Sequence, residues 1–454
     1  MSLAGLGLTD AAASIRDGRI KSTELVRDCL ARIDEVESDV RAWAFLDRDL
    51  AMRQADAADL HRMQGHALGP LHGVPVGIKD IIDTGDMPTE FGSEAWAGRT
   101  PRRDAYVVER FRADGAIILG KTVTTEYAYF HPGKTRNPHD KSRTPGGSSS
   151  GSAAAVAAFM VPGSVGTQTN GSVIRPAAFC GVVGFKPTHG LIPRSGALTL
   201  SRSLDQIGVF ARSVEDAALL AESLVGFDEE DPDTRPVARP PFAATAASDP
   251  PLTPRLAFVK SPVWDQADTV TRDAFAALVE ALGDAVTEVE LPQSFGRAVD
   301  FHRVVMEVEM SHNLQRDYAK FGDKLSEKLR SLIERGRTHS GVDYLSATTA
   351  AASLYLALDE VFNEYDAILT PAAPGEAPMG LESTGNPVFC TIWTYVGTPA
   401  VSLPLLQSEA GLPIGVQLVG RRRFDARLLR TARWLVNTVT GADRRTRKSG
   451  KGKR

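Results

Sequence analysis

TPGGSSSGSAAAVAAFMVPGSVGTQTNGSVIRPAAFCGVVGFKPT, residues 144–188, is the stretch on which the reading of this chain turns. It joins a Gly/Ser loop, a run of small apolar residues and a second Gly/Ser turn ending at Ser172, with almost no charge inside it. Flexible linkers share that composition. Here the glycines and serines fall into two short clusters separated by residues 153–161, whose small apolar side chains predict a buried helix and not a tether.

Two kinds of site could sit on such a stretch. A glycine-rich loop that opens a helix can cradle phosphate with its free amides, but no Lys-Ser/Thr pair follows residues 146–151, as a P-loop requires. The formal pattern GAIILGKT at 115–122 has Ala116, Ile117, Ile118 and Leu119 at its variable positions, so it reads as a buried strand. The other possibility is a nucleophile. A serine hydroxyl needs a neighbouring base, and the charge that develops on the substrate oxygen needs backbone donors. Thr169, Asn170, Gly171 and Ser172 form a turn suited to donate them.

The base is harder to find. None of the nine histidines lies in the stretch, and Ser172 has no Gly-x-Ser-x-Gly elbow around it. Lys79 closes the apolar run GVPVGIKD at 73–80, which predicts a strand with a cation at its end. Burial disfavours the charged form of lysine and turns the amine into a proton acceptor. A surface lysine, or an ion pair with Asp80, is the plainer reading of that residue alone.

Taken together, GIKD at 77–80, GGSSSGS at 146–152, GTQTNGS at 166–172, RPAAFCG at 175–181 and GFKPT at 184–188 resemble the amidase signature family of hydrolases. The resemblance spans nearly the whole chain, as far as GVQLVG at 415–420. It implies an α/β amidase signature fold, with a large mixed, mainly parallel central sheet flanked on both faces by helices. It also implies a Ser-cisSer-Lys triad, with Ser172 as nucleophile, Ser148 as the bridging serine on a cis peptide bond and Lys79 as base. The family's spacing to Ser172 selects Ser148 over Ser149 and Ser150. The amides of Thr169, Asn170, Gly171 and Ser172 would form the oxyanion hole, and because Lys79 must be neutral, activity is expected to rise toward alkaline pH. The chain departs from the family pattern twice. Gln168 stands where an Asp is usual, and the arginine that usually lies two residues after the nucleophile is displaced to Arg175, behind Val173 and Ile174.

The chain has 454 residues, 43% of them hydrophobic, and a formal charge of −4, the balance of a globular protein able to bury a sizeable core. Cys29, Cys180 and Cys390 show neither metal-ligand spacing nor a disulfide framework, so they read as buried free thiols. With no signal-like segment or membrane-length apolar run, the sequence leads to the expectation of a cytoplasmic protein. The whole of 1–454 is expected to be one amidase domain: N-terminal helices over 1–64, a catalytic core over 65–225, a surface crossing rich in proline and acidic residues over 226–254, the remaining sheet with a variable helical insertion over 255–440, and a basic tail over 441–454.

Individual elements follow from periodicity and caps. Helices are expected over 9–18, from Ser22 or Thr23 onward, and over 48–63, 104–114, 214–224, 271–282 and 425–436. Strands are expected over 71–82, 116–121, 255–259, 286–291 and 365–374. The insertion at 299–364 is expected to form the substrate entrance and lid. Tyr127, Tyr129 and Trp393 are candidates for the substrate pocket, with core packing as the alternative for each. Asp205 is expected to serve a buried polar network.

No metal or cofactor is implied. The leading functional expectation is a stand-alone amidase that cleaves a small carboxamide, anilide or carbamate through a serine acyl-enzyme, with esterase activity as an accessory. Its partners would be that small molecule and water, with no nucleic acid and no membrane, and a homodimer is compatible with the family. The alternatives are the A subunit of a tRNA-dependent glutamyl/aspartyl amidotransferase and a catalytically silent binding protein of the same fold. Such amidotransferase chains usually carry a paired-arginine, Gly-Thr-Tyr type segment in the insertion. This chain has FGDKLSEKLRSLIERG at 321–336 instead, which favours the stand-alone enzyme.

Overall fold

The computed structural model describes residues 2–441. The basic tail expected over 441–454 therefore lies outside the described residues from 442 onward. Within the described chain, eleven strands form one sheet: β1 Trp43–Leu46, β2 Pro75–Lys79, β3 Ile117–Thr122, β4 Gly163–Gln168, β5 Val183–Lys186, β6 Gln206–Ala211, β7 Leu256–Phe258, β8 Val286–Glu288, β9 Ala367–Pro371, β10 Ala400–Gln407 and β11 Pro413–Val419. Their order is β1-β3-β2-β4-β6-β5-β10-β11-β9-β7-β8.

The expected mixed α/β architecture is present, but the sheet is not mainly parallel. Six neighbouring pairs are antiparallel and four are parallel. The physical reason lies in the connections. Where a helix crosses from one strand to the next, as between β2, β3 and β4, the strands are parallel, as a crossover requires. β10 and β11 are joined by a tight turn at Ser408–Leu412, with Gly411 at φ 75°, and a hairpin can only be antiparallel. The alternation of strand and helix in the first half of the sequence does not extend to the middle of the sheet.

Alternate residues of the strands enter two cores, as a period of two dictates. Leu418 joins the larger cluster and Val419 the smaller; Leu369 and Ile368 divide in the same way. The helix Ser150–Ala157 is buried along almost its whole length, which explains its composition. A Cβ on Gly151 would come within 2.2 Å of the Ala42 carbonyl oxygen and 2.3 Å of the Val123 amide. Only small residues let this helix lie against the sheet.

The crossing over 226–254 is more than a surface strap. It contains the short helix Phe242–Ala246, whose Phe242 is fully buried with its ring 5.9 Å from that of Phe185. The insertion consists of the helices Ala298–Asn313, Gln315–Phe321, Glu327–Gly336 and Gly341–Glu364. The formal phosphate pattern at 115–122 falls on β3, and its Lys121 is completely buried, donating to the Ile82 carbonyl at 2.8 Å. No helix among the described residues is long and apolar enough to cross a membrane.

Candidate active site

Parallel pairing brings the C-terminal ends of β2 and β4 side by side, with Ile78 opposite Val165. Lys79, the last residue of β2, thereby meets Thr167 near the end of β4. Its Nζ donates to Thr167 Oγ1 and to Ser148 Oγ, both at 2.7 Å. Lys79 is fully buried, and burial holds its amine well below the ordinary lysine pKa, with only Asp205 acting in the opposite sense. An amine in that state has a lone pair to offer.

Ser148 follows a cis peptide bond with Gly147. Its loop is fixed on both sides. The Ser148 carbonyl accepts from the Thr125 amide at 3.2 Å, and the Gly147 carbonyl accepts from Arg175 Nη2 at 2.7 Å. Ser148 and Ser172 open into the same narrow cavity, walled by Tyr129, Phe130, Leu200, Met306, Met310 and Pro387.

The turn before Ser172 is held from outside through its carbonyls and side chains. The Thr169 carbonyl accepts from His302 Nε2 at 3.0 Å, and Thr169 Oγ1 donates to Asp205 at 2.6 Å. Burial lowers the pKa of His302 to about 4, so its imidazole is neutral at physiological pH. Asn170 accepts from Thr391 Oγ1 through its side chain at 2.7 Å and from Thr394 Oγ1 through its carbonyl. The amides of Asn170, Gly171 and Ser172 have no acceptor among the described residues. Three free N–H groups beside a serine hydroxyl make a receptor for a developing oxyanion.

Gln168 replaces the usual carboxylate by a different set of bonds. Its Oε1 accepts from the amides of Val173 and Ile174 at 2.8 and 3.0 Å, while its Nε2 donates to Thr394 Oγ1 at 2.8 Å. A neutral amide can do both, where a carboxylate could only accept. Asp205 has the structural role expected of it. Its carboxylate also accepts from the amides of Leu200 and Ser201, and burial raises its pKa to about 6.

The structure thus gathers Ser148, Ser172 and Tyr129 at one cavity, with Lys79 buried behind Ser148, but leaves two pocket candidates outside it. Tyr127 is fully buried, its hydroxyl accepting from Trp96 Nε1 at 2.8 Å, and Trp393 is buried in the helix Val388–Tyr395. Both pack into the smaller core. Tyr127 and Tyr129 part because residue 127 adopts φ 45° in the short helical turn Glu126–Ala128, so the two side chains do not share a strand face. Sequence reasoning missed Thr167, whose signal was its place five residues before Ser172 in the same motif. It also missed Met306 and Met310, which are four apart on an insertion helix and so share a face. A larger cavity of about 270 Å3 touches Thr167 and Thr169 but includes neither Ser148 nor Ser172, and is lined by Arg194, Asp205 and Asp231.

A buried lysine, two serines and unpaired amides make an arrangement suited to acyl transfer. The chain belongs to the amidase family, whose model matches residues 24–429. It is an enzyme acting on carbon–nitrogen bonds. The A subunit of the glutamyl-tRNA(Gln) amidotransferase of Chloroflexus aggregans (strain MD-66 / DSM 9485) is 36% identical over 466 residues, covering 94% of this chain and 94% of its own. Among solved structures, a chain of an unexpected vestigial protein complex that reveals the evolutionary origins of an s-triazine catabolic enzyme is 28% identical with a TM-score of 0.89, covering 96% of this chain and 99% of that one. The native peptide amidase of Stenotrophomonas maltophilia is 30% identical with a TM-score of 0.83, covering 96% of this chain and 97% of its own.

These relatives overturn the expectation of a stand-alone enzyme for a small carboxamide, anilide or carbamate, and with it that of a small molecule as the partner and no nucleic acid. The amidotransferase similarity runs the length of the chain. The insertion segment that argued otherwise lies in the helices over 298–364, outside the sheet that carries the site, so its sequence can change while the chemistry stays.

Proposed function

We propose that this chain is the amide-hydrolysing A subunit of a glutamyl-tRNA(Gln) amidotransferase, working with partner subunits and a tRNA-bound acceptor. The observation that carries the reading is the fully buried Lys79 amine, 2.7 Å from Ser148 Oγ, where Ser148 in turn opens into the cavity that Ser172 and the free amides line. Whole-length similarity to the amidotransferase chain of Chloroflexus aggregans supports the assembly.

Neutral Lys79 takes a proton from Ser148, which takes one from Ser172 as its oxygen attacks the carboxamide carbon. The amides of Asn170, Gly171 and Ser172, with that of Thr169 at the edge of the turn, hold the oxyanion, a contribution of about 3 kcal/mol for a donor of this kind. The proton returns through Ser148 to the leaving nitrogen, which departs as ammonia and leaves an acyl ester on Ser172. Water, deprotonated by the same route, releases the acid. The ammonia is the nitrogen passed to the acceptor. Three buried free cysteines fit a reducing, cytoplasmic setting.

The test is isolation of the tagged chain from its source, followed by assay with glutamine and glutamyl-tRNA(Gln). The reading expects partner subunits to co-purify and amide nitrogen to reach the tRNA-bound glutamate. A chain that purifies alone, and that leaves glutamyl-tRNA(Gln) unchanged with any fraction added back, contradicts it.

A further inference from the structure

Three consecutive arginines, Arg421, Arg422 and Arg423, follow β11 after Gly420. Their surroundings differ. Arg421 pairs with Asp359. Arg422 and Arg423 have no carboxylate within ion-pair distance among the described residues, and both line a cavity of about 340 Å3 together with Thr188, His189, Ser203 and Tyr395. This cavity shares no residue with the one into which Ser148 and Ser172 open.

Each of the two is held in place without being neutralised. Arg422 is half-buried, its Nε donating to the Val396 carbonyl at 2.7 Å and its guanidinium carbon 3.8 Å from the centroid of the Tyr355 ring. The ring fixes the plane of the guanidinium. Nη1 and Nη2 have no acceptor among the described residues, and at the end of the group opposite Nε they present adjoining N–H groups on one edge. Arg423 adopts φ 66°, a conformation that a residue with a side chain takes seldom, and its amide donates to Thr188 Oγ1 at 2.8 Å. Its guanidinium bonds nothing among the described residues. The carboxylates bonded to this wall are engaged by neutral donors. Asp425 accepts from the amide and hydroxyl of Thr188, and Glu309 from the amide of Ser203 and the hydroxyls of Ser201, Ser203 and Tyr344. His189 adds no charge, since burial lowers its pKa to about 4.

We propose that this cavity binds a dianionic phosphate group through Arg422 and Arg423, at a site independent of the amide cleaved at Ser172. Guanidinium groups match phosphate oxygens in pairs, and charge decides between the oxyanions. A phosphate monoester carries a charge of about −1.5 to −2 at neutral pH and offers three acceptor oxygens, which balances two arginines. A carboxylate or a phosphate diester has one charge and leaves one arginine unmatched. The rest of the wall includes Leu204, Val305 and Tyr395, so an organic group esterified to the phosphate finds an apolar surface beside it.

The test is calorimetric titration of the full chain at constant ionic strength and about pH 7.5, where the second phosphate proton is lost. The probes are inorganic phosphate, phenyl phosphate, the diester methyl phenyl phosphate, and benzoate. The expected result is saturable binding of the dianions, at least about tenfold tighter than that of the diester and of benzoate, the range of a hydrogen bond to a charged group. Phenyl phosphate binding more tightly than inorganic phosphate identifies the ligand as a monoester whose organic group fills the cavity; equal affinities identify it as free phosphate. Arg422→Gln and Arg423→Gln should each weaken the dianions by about tenfold or more, with Ser172 labelled by a fluorophosphonate as in the wild type, and Arg422→Lys should restore binding in part. Dianions bound no better than the diester and benzoate overturn the proposal, and this comparison stands even if the variants do not fold. Dianions bound as tightly by the double glutamine variant as by the wild type overturn it equally.

Discussion

Lys79 Nζ lies 2.7 Å from Ser148 Oγ and equally far from Thr167 Oγ1, at the adjoining ends of two parallel strands and out of contact with bulk water. The amine is thus desolvated, aimed and held by two hydroxyls with no carboxylate in the set. That combination fixes its protonation state and most of what can be tested.

The first prediction concerns pH and rate. Lys79 acts as base only when neutral, and burial moves its pKa well below 10.5. The rate constant kcat/KM should therefore rise with pH and level off well before 10.5. A rising limb centred near 10.5 in a pH–rate profile would refute the role given to this amine.

Stability carries the same group with a definite sign. The folded pKa of Lys79 is depressed, so between that value and 10.5 the unfolded chain binds the extra proton, and stability increases with pH. Lys79→Met removes the term. The wild type should gain stability relative to this variant as pH rises through that window, measured by urea unfolding of both proteins. A difference independent of pH would mean that the lysine is charged in the fold.

Thr167→Val removes one of the two hydroxyls that orient the amine while preserving shape. The loss of one hydrogen bond of this kind predicts a roughly three- to tenfold fall in kcat with KM little changed. Steady-state kinetics on any turned-over amide distinguishes this from a binding defect, which would raise KM instead.

Gln168→Leu would strand the amides of Val173 and Ile174, which now share one oxygen. The expected cost is about 1–3 kcal/mol of stability. Gln168→Glu keeps the acceptor and loses only the donation to Thr394, so it should cost less. Thermal or chemical denaturation orders the two; Leu tolerated better than Glu would show that the bonds to the helix start contribute little.

Gly171→Ala tests the oxyanion turn. A Cβ there would lie 2.8 Å from Pro387 Cβ and 3.2 Å from Cys390 Sγ, so the turn must move. Labelling of Ser172 by a fluorophosphonate should slow at least tenfold in a variant that still melts cooperatively, the loss of one oxyanion donor alone being worth about a hundredfold or more. Unchanged labelling would place the oxyanion elsewhere.

Much of this was legible in the sequence, for physical reasons that can be named. The strand ending at Lys79 announced itself by an apolar run closed by a cation, and the helix Ser150–Ala157 by its all-small composition. The helices Arg48–Met63 and Val214–Leu224 have the expected bounds, and their starts are encoded locally in the structure: Asp47 and Ser213 each accept from an amide three residues on. Sheet direction was not legible, because pairing joins segments far apart in the chain, as when Gly163 meets Ala211. The edge strand Trp43–Leu46 has four residues and a break in its register, too little for periodicity to register. The bonds made by Gln168 and Arg175 depend on residues more than 200 positions away, Thr394 and Gly385, which no local pattern connects. That Tyr127 takes the core alternative while Tyr129 reaches the cavity comes from a backbone turn with positive φ at residue 127 that its sequence does not advertise.

The most direct test of the central claim is the mass of the protein quenched during turnover of a carboxylate-bearing primary amide such as glutamine. The account predicts a wild-type species heavier by one acyl group, mapped to the peptide containing Ser172, together with release of ammonia, and neither in Ser172→Ala. Ammonia release that persists in Ser172→Ala, or turnover with the acyl group on another residue, would contradict it.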